Sequence, residues 1–291
     1  MPAPIRLLAP AKINLSLDVL GQRADGYHWV EMVLQTIGLY DHLTLEGRSD
    51  GQIQVVCRHP FVPSGRDNLA YRAADALRQL AGDPSLGATI TIVKGIPAAA
   101  GLGGGSADGA AVLKGLNRLW DLGLPPVELA QAGLALGADF PFCLLGGTAL
   151  ARGIGEELIP LPAPPKLWVV LLKPGAGVST AQVYADFCPA AVRRRPDTPG
   201  LVKALALGDL EGIPGAMANV LESVTLPRLP LLKQLKAEAL ANGALAAQMS
   251  GSGPTVFALA ADYRSAQAIY SGLKHRVDFA HITTFEEVSP A

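Results

Sequence analysis

The most informative stretch of the sequence runs from Pro97 to Asp108 and reads Pro-Ala-Ala-Ala-Gly-Leu-Gly-Gly-Gly-Ser-Ala-Asp. Three consecutive glycines allow the backbone to approach a ligand closely and to turn several N–H groups toward one point. The apolar spacing that follows predicts a helix over 106–120 with Ser106 as its N-cap. Because a helix N-terminus adds unpaired N–H groups and a positive dipole end, the stretch predicts an anion site, most often one for phosphate.

Two familiar phosphate motifs fit this stretch poorly. A Walker loop requires Lys followed by Ser or Thr after its last glycine, whereas Ser106 and Ala107 stand there. A dinucleotide fingerprint beginning at Gly101 would place Ser106 at its third glycine, and it would open a βαβ unit near the start of a domain. The glycines also have a structural interpretation, a turn that lets a helix pack close to a strand.

Length, charge and cysteine content limit the classes of function. A chain of 291 residues is long enough for two domains. Its formal net charge of −1 gives no reason to expect nucleic acid or an anionic membrane as a partner. Three distant cysteines without a CxxC or HExxH pattern indicate neither a disulfide framework nor a metal site. The chain also lacks an apolar stretch of the ~18 residues that a membrane helix needs. We therefore expect a cytoplasmic protein.

The pattern of apolar residues favours an α+β fold. The segment from Lys12 to Val19 alternates polar and apolar residues, which predicts a half-buried strand with Lys12 and Asn14 on its polar face. A helix over 126–137 would leave Asp139 just beyond its end. Because strands and helices occur in short separate runs, we expect α+β rather than a doubly wound sheet. Further strands are expected at 43–45, 53–56, 88–93, 167–172 and 255–259, and further helices at 68–80, 201–207, 231–241 and 263–274.

A proline-rich segment marks the best candidate domain boundary. It contains Pro160, Pro162, Pro164 and Pro165. We therefore predict an N-terminal domain over 1–159 and a C-terminal domain over 160–291.

Three segments in order resemble the motifs of one kinase superfamily, named for galactokinase, homoserine kinase, mevalonate kinase and phosphomevalonate kinase. They are Pro10–Leu15, Pro97–Asp108 and Met249–Phe257. The resemblance implies a two-domain α+β small-molecule kinase with the active site in the cleft between the domains. It also implies ATP as the phosphoryl donor, Mg²⁺ as its companion ion and an alcohol group as the acceptor.

Further segments resemble one branch of this superfamily, the kinases of the non-mevalonate route to isoprenoid precursors. The segments are Arg23–His28, Asp67–Leu69 and Leu136–Phe142. This resemblance implies a small-molecule substrate that carries a cytidine diphosphate and receives the phosphoryl group on the 2-hydroxyl of its polyol. We expect the protein to act as a monomer or weak homodimer.

The resemblance also implies site residues. Lys12 and Asp139 match the catalytic pair, with Asp139 as the general base for the hydroxyl and Lys12 as the cation that keeps it ionised. The positions that match the substrate pocket are Asn14, Tyr27, His28, Asp139 and Tyr184. Those that match the ATP site are Asn68 and Lys94 near the adenine, with Pro97, Ala98, Ala99, Ala100, Gly101, Leu102, Gly103, Gly104, Gly105, Ser106 and Ala107 in the phosphate loop.

Three positions depart from the family pattern. Ala99 stands where a glycine is usual, and Ala107 stands where a second serine is usual. Any side-chain contact from the loop to phosphate or Mg²⁺ must therefore come from Ser106. Gly109 replaces a common alanine in the first part of the helix, at a propensity cost of up to ~1 kcal/mol.

Taken singly, the same residues have structural interpretations. Lys12 could be a solvated lysine, Asp139 a turn or cap residue, and Tyr27 a surface aromatic. Two functional alternatives also stay open. One is a kinase of the same superfamily for another small alcohol, such as homoserine or mevalonate, and the other is a non-catalytic ligand-binding member.

Overall fold

The computed structural model describes residues 2–287. The chain forms two compact units that alternate along the sequence. The first comprises Leu39–Ala98, Gly103–Leu145 and the described residues up to Ala11, and the second comprises Lys12–Gly38, Ala99–Leu102 and the described residues from Gly146. The proline-rich segment 160–165 lies within the second unit. The domain division at residues 159 and 160 stays a prediction.

The first unit contains one part of a β-sheet and four helices. The strands that contribute are β1 (Ile5–Gln22), β2 (His28–Arg48), β3 (Ile53–Cys57) and β4 (Gly87–Val93), of which β1 and β2 continue into the second unit. Residues 42–48 of β2 pair with β4 in antiparallel register, and β3 pairs with β4 in parallel. The helices are α1 (Leu69–Ala81), α2 (Gly104–Leu119), α3 (Pro126–Leu134) and α4 (Phe140–Leu145), with a 3-10 turn at Gly65–Asp67.

Helix α1 confirms the helix predicted at 68–80. The side chain of Asn68 caps it by accepting a hydrogen bond from the Ala70 N–H at 2.8 Å, and it ends at Gly82 in the left-handed conformation with φ 67°. Its buried face includes Ala70, which is fully buried, whereas Leu80 near the end of the helix is 47% exposed.

Helix α2 begins two residues earlier than predicted. Its N-cap is Gly103, with φ 72°, and Ser106 lies in the first turn rather than at the cap. The prediction of Ser106 as N-cap was therefore wrong, because a left-handed glycine can start the helix without a capping side chain. Farther along, an ideal Cβ on Gly115 would lie 2.3 Å from Leu45 Cδ1, so this glycine lets α2 pack closely on the sheet.

The second unit contains the remaining strands and helices. Its strands are β5 (Thr148–Arg152), β6 (Glu157–Pro160), β7 (Trp168–Lys173), β8 (Ala246–Met249), β9 (Val256–Ala260) and β10 (Phe279–Thr284). Its helices are α5 (Thr180–Ala185), α6 (Thr198–Leu207), α7 (Gly212–Ala216), α8 (Glu222–Arg228), α9 (Pro230–Ala241) and α10 (Tyr263–Leu273), with 3-10 turns at Pro189–Ala191 and Lys274–Arg276.

Two sets of antiparallel strands organise this second unit. Residues 32–35 of β2 pair with β5, which pairs with β6. A separate four-stranded sheet has the order β10-β7-β9-β8. The predicted α+β class is confirmed. Within residues 2–287, every helix is too short or too polar to span a lipid bilayer.

The strand β1 is more deeply buried than predicted. Both faces of its 12–19 segment are buried, whereas the sequence predicted a solvated polar face. The polar side chains there are hydrogen-bonded to protein groups. These hydrogen bonds offset the free-energy cost of removing the polar groups from water. Ser16 Oγ, for example, accepts a hydrogen bond from the Val33 N–H at 3.1 Å.

Candidate active site

The predicted catalytic lysine lies on β1 and is buried. Lys12 is 5% exposed, and its Nζ donates a hydrogen bond to Asn14 Oδ1 at 3.0 Å. The two side chains share a face because strand residues two apart point to the same side. The backbone N–H of Lys12 donates to the Leu102 carbonyl at 3.0 Å, so the first motif contacts the glycine loop directly.

Ser250 of the third motif joins the other two motifs. Its Oγ donates a hydrogen bond to the Gly101 carbonyl at 2.8 Å and lies 3.4 Å from the Asn14 N–H, which donates to it. The backbone N–H of Thr255 donates to the Ala100 carbonyl at 3.4 Å. Segments that are far apart in sequence are therefore held together in the second unit by a serine hydroxyl and backbone groups.

The loop approaches the third motif so closely that Gly101 admits no side chain. An ideal Cβ on Gly101 would lie 2.3 Å from the Ser250 carbonyl oxygen, and its φ of 75° is left-handed. Ala99 also has a positive φ, of 49°. This explains why a glycine is usual there, since a left-handed alanine costs about 1–2 kcal/mol.

Two residues that the sequence did not single out hold the turn at 250–253. Asn219 Nδ2 donates to the carbonyls of Met249 at 2.8 Å and Gly251 at 2.7 Å, and Thr225 Oγ1 donates to that of Ser252 at 3.1 Å. Both side chains are buried. No sequence motif marks Asn219 or Thr225, because their role depends on backbone groups of a distant turn.

The N-terminus of α2 lies where the sequence predicted an anion site. The N-cap, Gly103, has no side chain that could accept a hydrogen bond from the first turn, and unpaired N–H groups at a helix N-terminus favour anions. An ideal Cβ on Gly104 would lie 3.0 Å from Ile96 Cγ2, whereas Gly105 is exposed. These features fit a bound phosphate group. Ala107, where the family usually has a second serine, is 2% exposed.

Asp139 directly precedes α4 and is half-buried. Its carbonyl accepts a hydrogen bond from the Cys143 N–H at 3.0 Å, which starts the helix. Nearby, an ideal Cβ on Gly137 would lie 3.9 Å from Ser106 Oγ. The chain segment that leads to Asp139 therefore lies beside the first turn of α2.

The side chains of Lys94 and Asn68 are engaged within the protein. Lys94 Nζ pairs with the carboxylates of Asp41 and Asp108, the latter at 2.7 Å. Burial would lower the pKa of Lys94, but the two carboxylates together raise it. Asn68, besides capping α1, donates to the Pro63 carbonyl at 2.8 Å. A position near the adenine stays a prediction for both residues.

Asp41 and Asp108 were missed as candidates from the sequence. Asp41 is fully buried and Asp108 is 3% exposed. Burial raises the pKa of Asp108 to about 7, and Asp41 adds to this rise while Lys94 opposes it. A usable signal existed for Asp41, since a carboxylate close to Leu39 and Leu43 in a buried strand requires a charged partner.

Two of the three predicted aromatic residues lie together. The rings of His28 and Tyr184 have centroids 5.3 Å apart at an interplanar angle of 37°. Tyr27 is 59% exposed, at a turn in which its N–H donates to Asp25 Oδ1 at 3.1 Å and its carbonyl accepts from the Arg23 N–H at 2.7 Å. Tyr27 is next to His28 in sequence, and exposed aromatic rings are suitable surfaces for stacking a base.

Two protein-family models match this chain and identify its class of protein. The model of the GHMP kinases N terminal domain matches residues 68–147, and the model described as GHMP kinases C terminal matches residues 201–278. The fold agrees, since the chain superimposes on a crystal structure of homoserine kinase from Cytophaga hutchinsonii with a TM-score of 0.79 at 21% identity, covering 98% of this chain and 95% of that one. The molecule is thus a GHMP kinase.

More similar relatives narrow the class. The chain is 49% identical to a 4-diphosphocytidyl-2-C-methyl-D-erythritol kinase from Alkaliphilus metalliredigens, over 92% of both chains. It is 50% identical to one from Listeria monocytogenes, over 93% of this chain and 92% of that one. A crystal structure of 4-(cytidine 5'-diphospho)-2C-methyl-D-erythritol kinase matches with a TM-score of 0.83 at 36% identity, covering 98% of this chain and 100% of that one. The chain belongs to the 4-diphosphocytidyl-2-C-methyl-D-erythritol kinase family, which confirms the resemblance of its motifs.

Proposed function

We propose that this protein transfers the γ-phosphoryl group of ATP to the 2-hydroxyl of 4-diphosphocytidyl-2-C-methyl-D-erythritol, a step in the non-mevalonate formation of isoprenoid precursors. The observation that carries the proposal is the link through Ser250, which holds the strand of Lys12 and the loop at Gly101 together. Its substrates would be small cytosolic metabolites, so we expect the reaction to occur in the cytoplasm.

The glycine loop and α2 are proposed to hold the triphosphate. The first-turn N–H groups of α2 bind an anion without needing a positive side chain. Ser106, in that turn, is the side chain available to the phosphates or to Mg²⁺. Mg²⁺ that enters with the nucleotide would neutralise part of the phosphate charge.

Asp139 and Lys12 are proposed to carry the transfer itself. Asp139 accepts the proton of the acceptor hydroxyl as that oxygen bonds to the γ-phosphorus and the bond from the γ-phosphorus to the bridging oxygen breaks, which releases ADP. Lys12 offsets the negative charge on the phosphoryl group in the transition state of the transfer. Its hydrogen bond to Asn14 fixes the ammonium group before the substrate binds, so that little reorganisation is needed.

The aromatic residues are proposed to bind the cytosine. Stacking a base on an aromatic side chain is worth ~1–3 kcal/mol, and Tyr27, His28 and Tyr184 are the candidates. Substitution of either tyrosine by Ala should therefore raise KM for the cytidine-bearing substrate while KM for ATP is unchanged. An unchanged KM for that substrate in both variants would remove the stacking role.

An acceptor comparison tests the function. ADP release is measured with ATP and Mg²⁺ in the presence of 4-diphosphocytidyl-2-C-methyl-D-erythritol, homoserine or mevalonate, each supplied alone. We expect turnover with the cytidine compound only. Turnover with a control alcohol instead would identify a different kinase of the superfamily, and no turnover with any acceptor would favour a non-catalytic ligand-binding protein.

A further inference from the structure

A buried charge cluster that the proposed chemistry does not use joins three elements of the first unit. Lys94 follows β4, Asp41 lies on β2 and Asp108 lies on α2, and the side chains are 7%, 0% and 4% exposed. Because the desolvation of buried charges offsets most of their attraction, such a cluster contributes little net stability. Its significance lies in the segments that it holds in place.

One of these segments enters the glycine loop. Asp41 Oδ1 accepts hydrogen bonds from the backbone N–H groups of Gly95 at 2.7 Å and Ile96 at 2.8 Å. An ideal Cβ on Gly95 would lie 2.3 Å from the Tyr40 carbonyl oxygen, so the backbones approach closely here. The chain is therefore fixed against β2 immediately before the loop begins at Pro97.

The other segment leaves the loop as helix α2. An ideal Cβ on Gly104 would lie 3.5 Å from Lys94 Nζ, which places the ammonium group against the first turn of the helix. One turn farther on, Asp108 accepts the hydrogen bond from that ammonium group. Lys94 thus contacts α2, where the chain leaves the loop, and pairs with Asp41, which holds the chain where it enters the loop.

We propose that Lys94 is a positioning residue for nucleotide binding, which holds the two ends of the phosphate loop at the separation that the phosphates require. The proposal rests on the function proposed above and assigns the ammonium group an action through the loop rather than a contact with ATP. Its side chain is buried, and two carboxylates already engage its charge.

Nucleotide affinity of the full-length protein tests the proposal. Calorimetry with adenosine 5′-(β,γ-imido)triphosphate and Mg²⁺ gives a Kd without any acceptor. Lys94→Met should weaken binding about tenfold or more, because small displacements of positioning groups have large effects. Asp41→Asn, at a fully buried site, should weaken binding to a similar extent. The double variant should bind the analogue with a Kd no higher than the higher Kd of the two single variants.

Lys114→Met is the matched control. Lys114 lies on the same helix and is half-buried, and burial lowers its pKa. Its replacement should leave Kd within about twofold of wild type. In steady-state assays, Lys94→Met should raise KM for ATP and leave KM for the alcohol unchanged. An equal rise in both values, or an unchanged Kd, would overturn the positioning role.

A second variant keeps the test decisive if Lys94→Met does not fold. Asp108 Oδ1 is buried without a hydrogen-bond partner among the described residues, so Asp108→Asn adds an amide there while keeping an acceptor for Lys94. It should bind the nucleotide analogue more weakly than wild type, and wild-type affinity would refute the proposal. Wild-type protein that binds the analogue but phosphorylates no acceptor would instead refute the proposed function.

Discussion

Asp139 is the residue on which the proposed chemistry depends most. Asp139→Asn keeps the shape of the side chain but removes its ability to accept a proton. We expect kcat to fall by about 10²–10⁴, the range typical of a positioned general base, with little change in either KM. Binding of the nucleotide analogue by the same variant is the control for folding. A near-normal kcat would exclude Asp139 as the base.

The carboxyl of Asp108 should make the free energy of unfolding depend on pH. Burial raises the pKa of this carboxyl in the folded state from the ordinary 3.8 to about 7, so the folded state holds the proton more tightly than the unfolded state. The stability that it contributes is therefore complete below the unfolded pKa and is lost as pH rises through about 7. The charged or titratable groups around it are Lys94, Asp41 and Cys57.

Urea unfolding at about pH 5 and about pH 8 measures this contribution. Wild-type protein should lose more free energy of unfolding across this interval than Asp108→Asn, since the amide does not titrate. Equal losses in the two proteins would mean that Asp108 has an ordinary pKa in the folded state.

At the scale of elements, the packing of α2 explains a departure from the family pattern. Gly109 replaces a common alanine, and an ideal Cβ there would lie 2.4 Å from Cε1 and Cζ of Phe140, which is fully buried. The glycine is therefore the residue that lets α2 approach α4. Its helix-propensity cost of up to ~1 kcal/mol is smaller than the cost of the clash.

Gly109→Ala should consequently lower the free energy of unfolding by about 1–3 kcal/mol, as overpacked substitutions do. Gly215→Ala is the matched control, because Gly215 is also helical and its ideal Cβ would meet nothing within 4 Å. The control should be neutral or stabilising by up to ~1 kcal/mol in chemical denaturation. Equal effects of the two substitutions would contradict the packing explanation.

The geometry of the loop between β4 and α2 depends on the close approach of Gly101 to Ser250. Gly101→Ala combines an unfavourable left-handed φ with a Cβ 2.3 Å from the Ser250 carbonyl oxygen. The loop must then move away from the third motif, and KM for ATP should rise about tenfold or more. Steady-state kinetics with varied ATP measures this. A wild-type KM for ATP would show that contact with Ser250 does not set the loop geometry.

For the whole molecule, the sequence predicted the class of fold better than the details of the site. Regular apolar spacing located α1, and the apolar spacing after the glycines located α2, whereas the anion site at its start stays a prediction. The buried polar face of β1 was wrongly predicted, because the hydrogen-bond partners of Asn14 and Ser16 come from residues distant in sequence. Local pattern could indicate that Asp41 needs a charged partner, but it could not identify Lys94 as that partner or place Asp108 beside them, since it carries no information about which distant residues form ion pairs.

The extent of β2 is another property that local pattern could not supply. Only its 43–45 segment was predicted as strand, whereas the strand runs from His28 to Arg48. Its length is set by its partners, β5 at 32–35 and β4 at 42–48, which are provided by tertiary structure. The roles of the candidate site residues stay predictions that the experiments above decide.

The most direct test of the proposed activity is transfer from γ-labelled ATP with all acceptors in one mixture. Equal concentrations of 4-diphosphocytidyl-2-C-methyl-D-erythritol, homoserine and mevalonate compete for the wild-type protein with Mg²⁺, and the labelled products are separated. We predict label on the cytidine compound alone, at its 2-hydroxyl. Label on homoserine or mevalonate in the presence of the cytidine compound, or no labelled product, would contradict the proposed function.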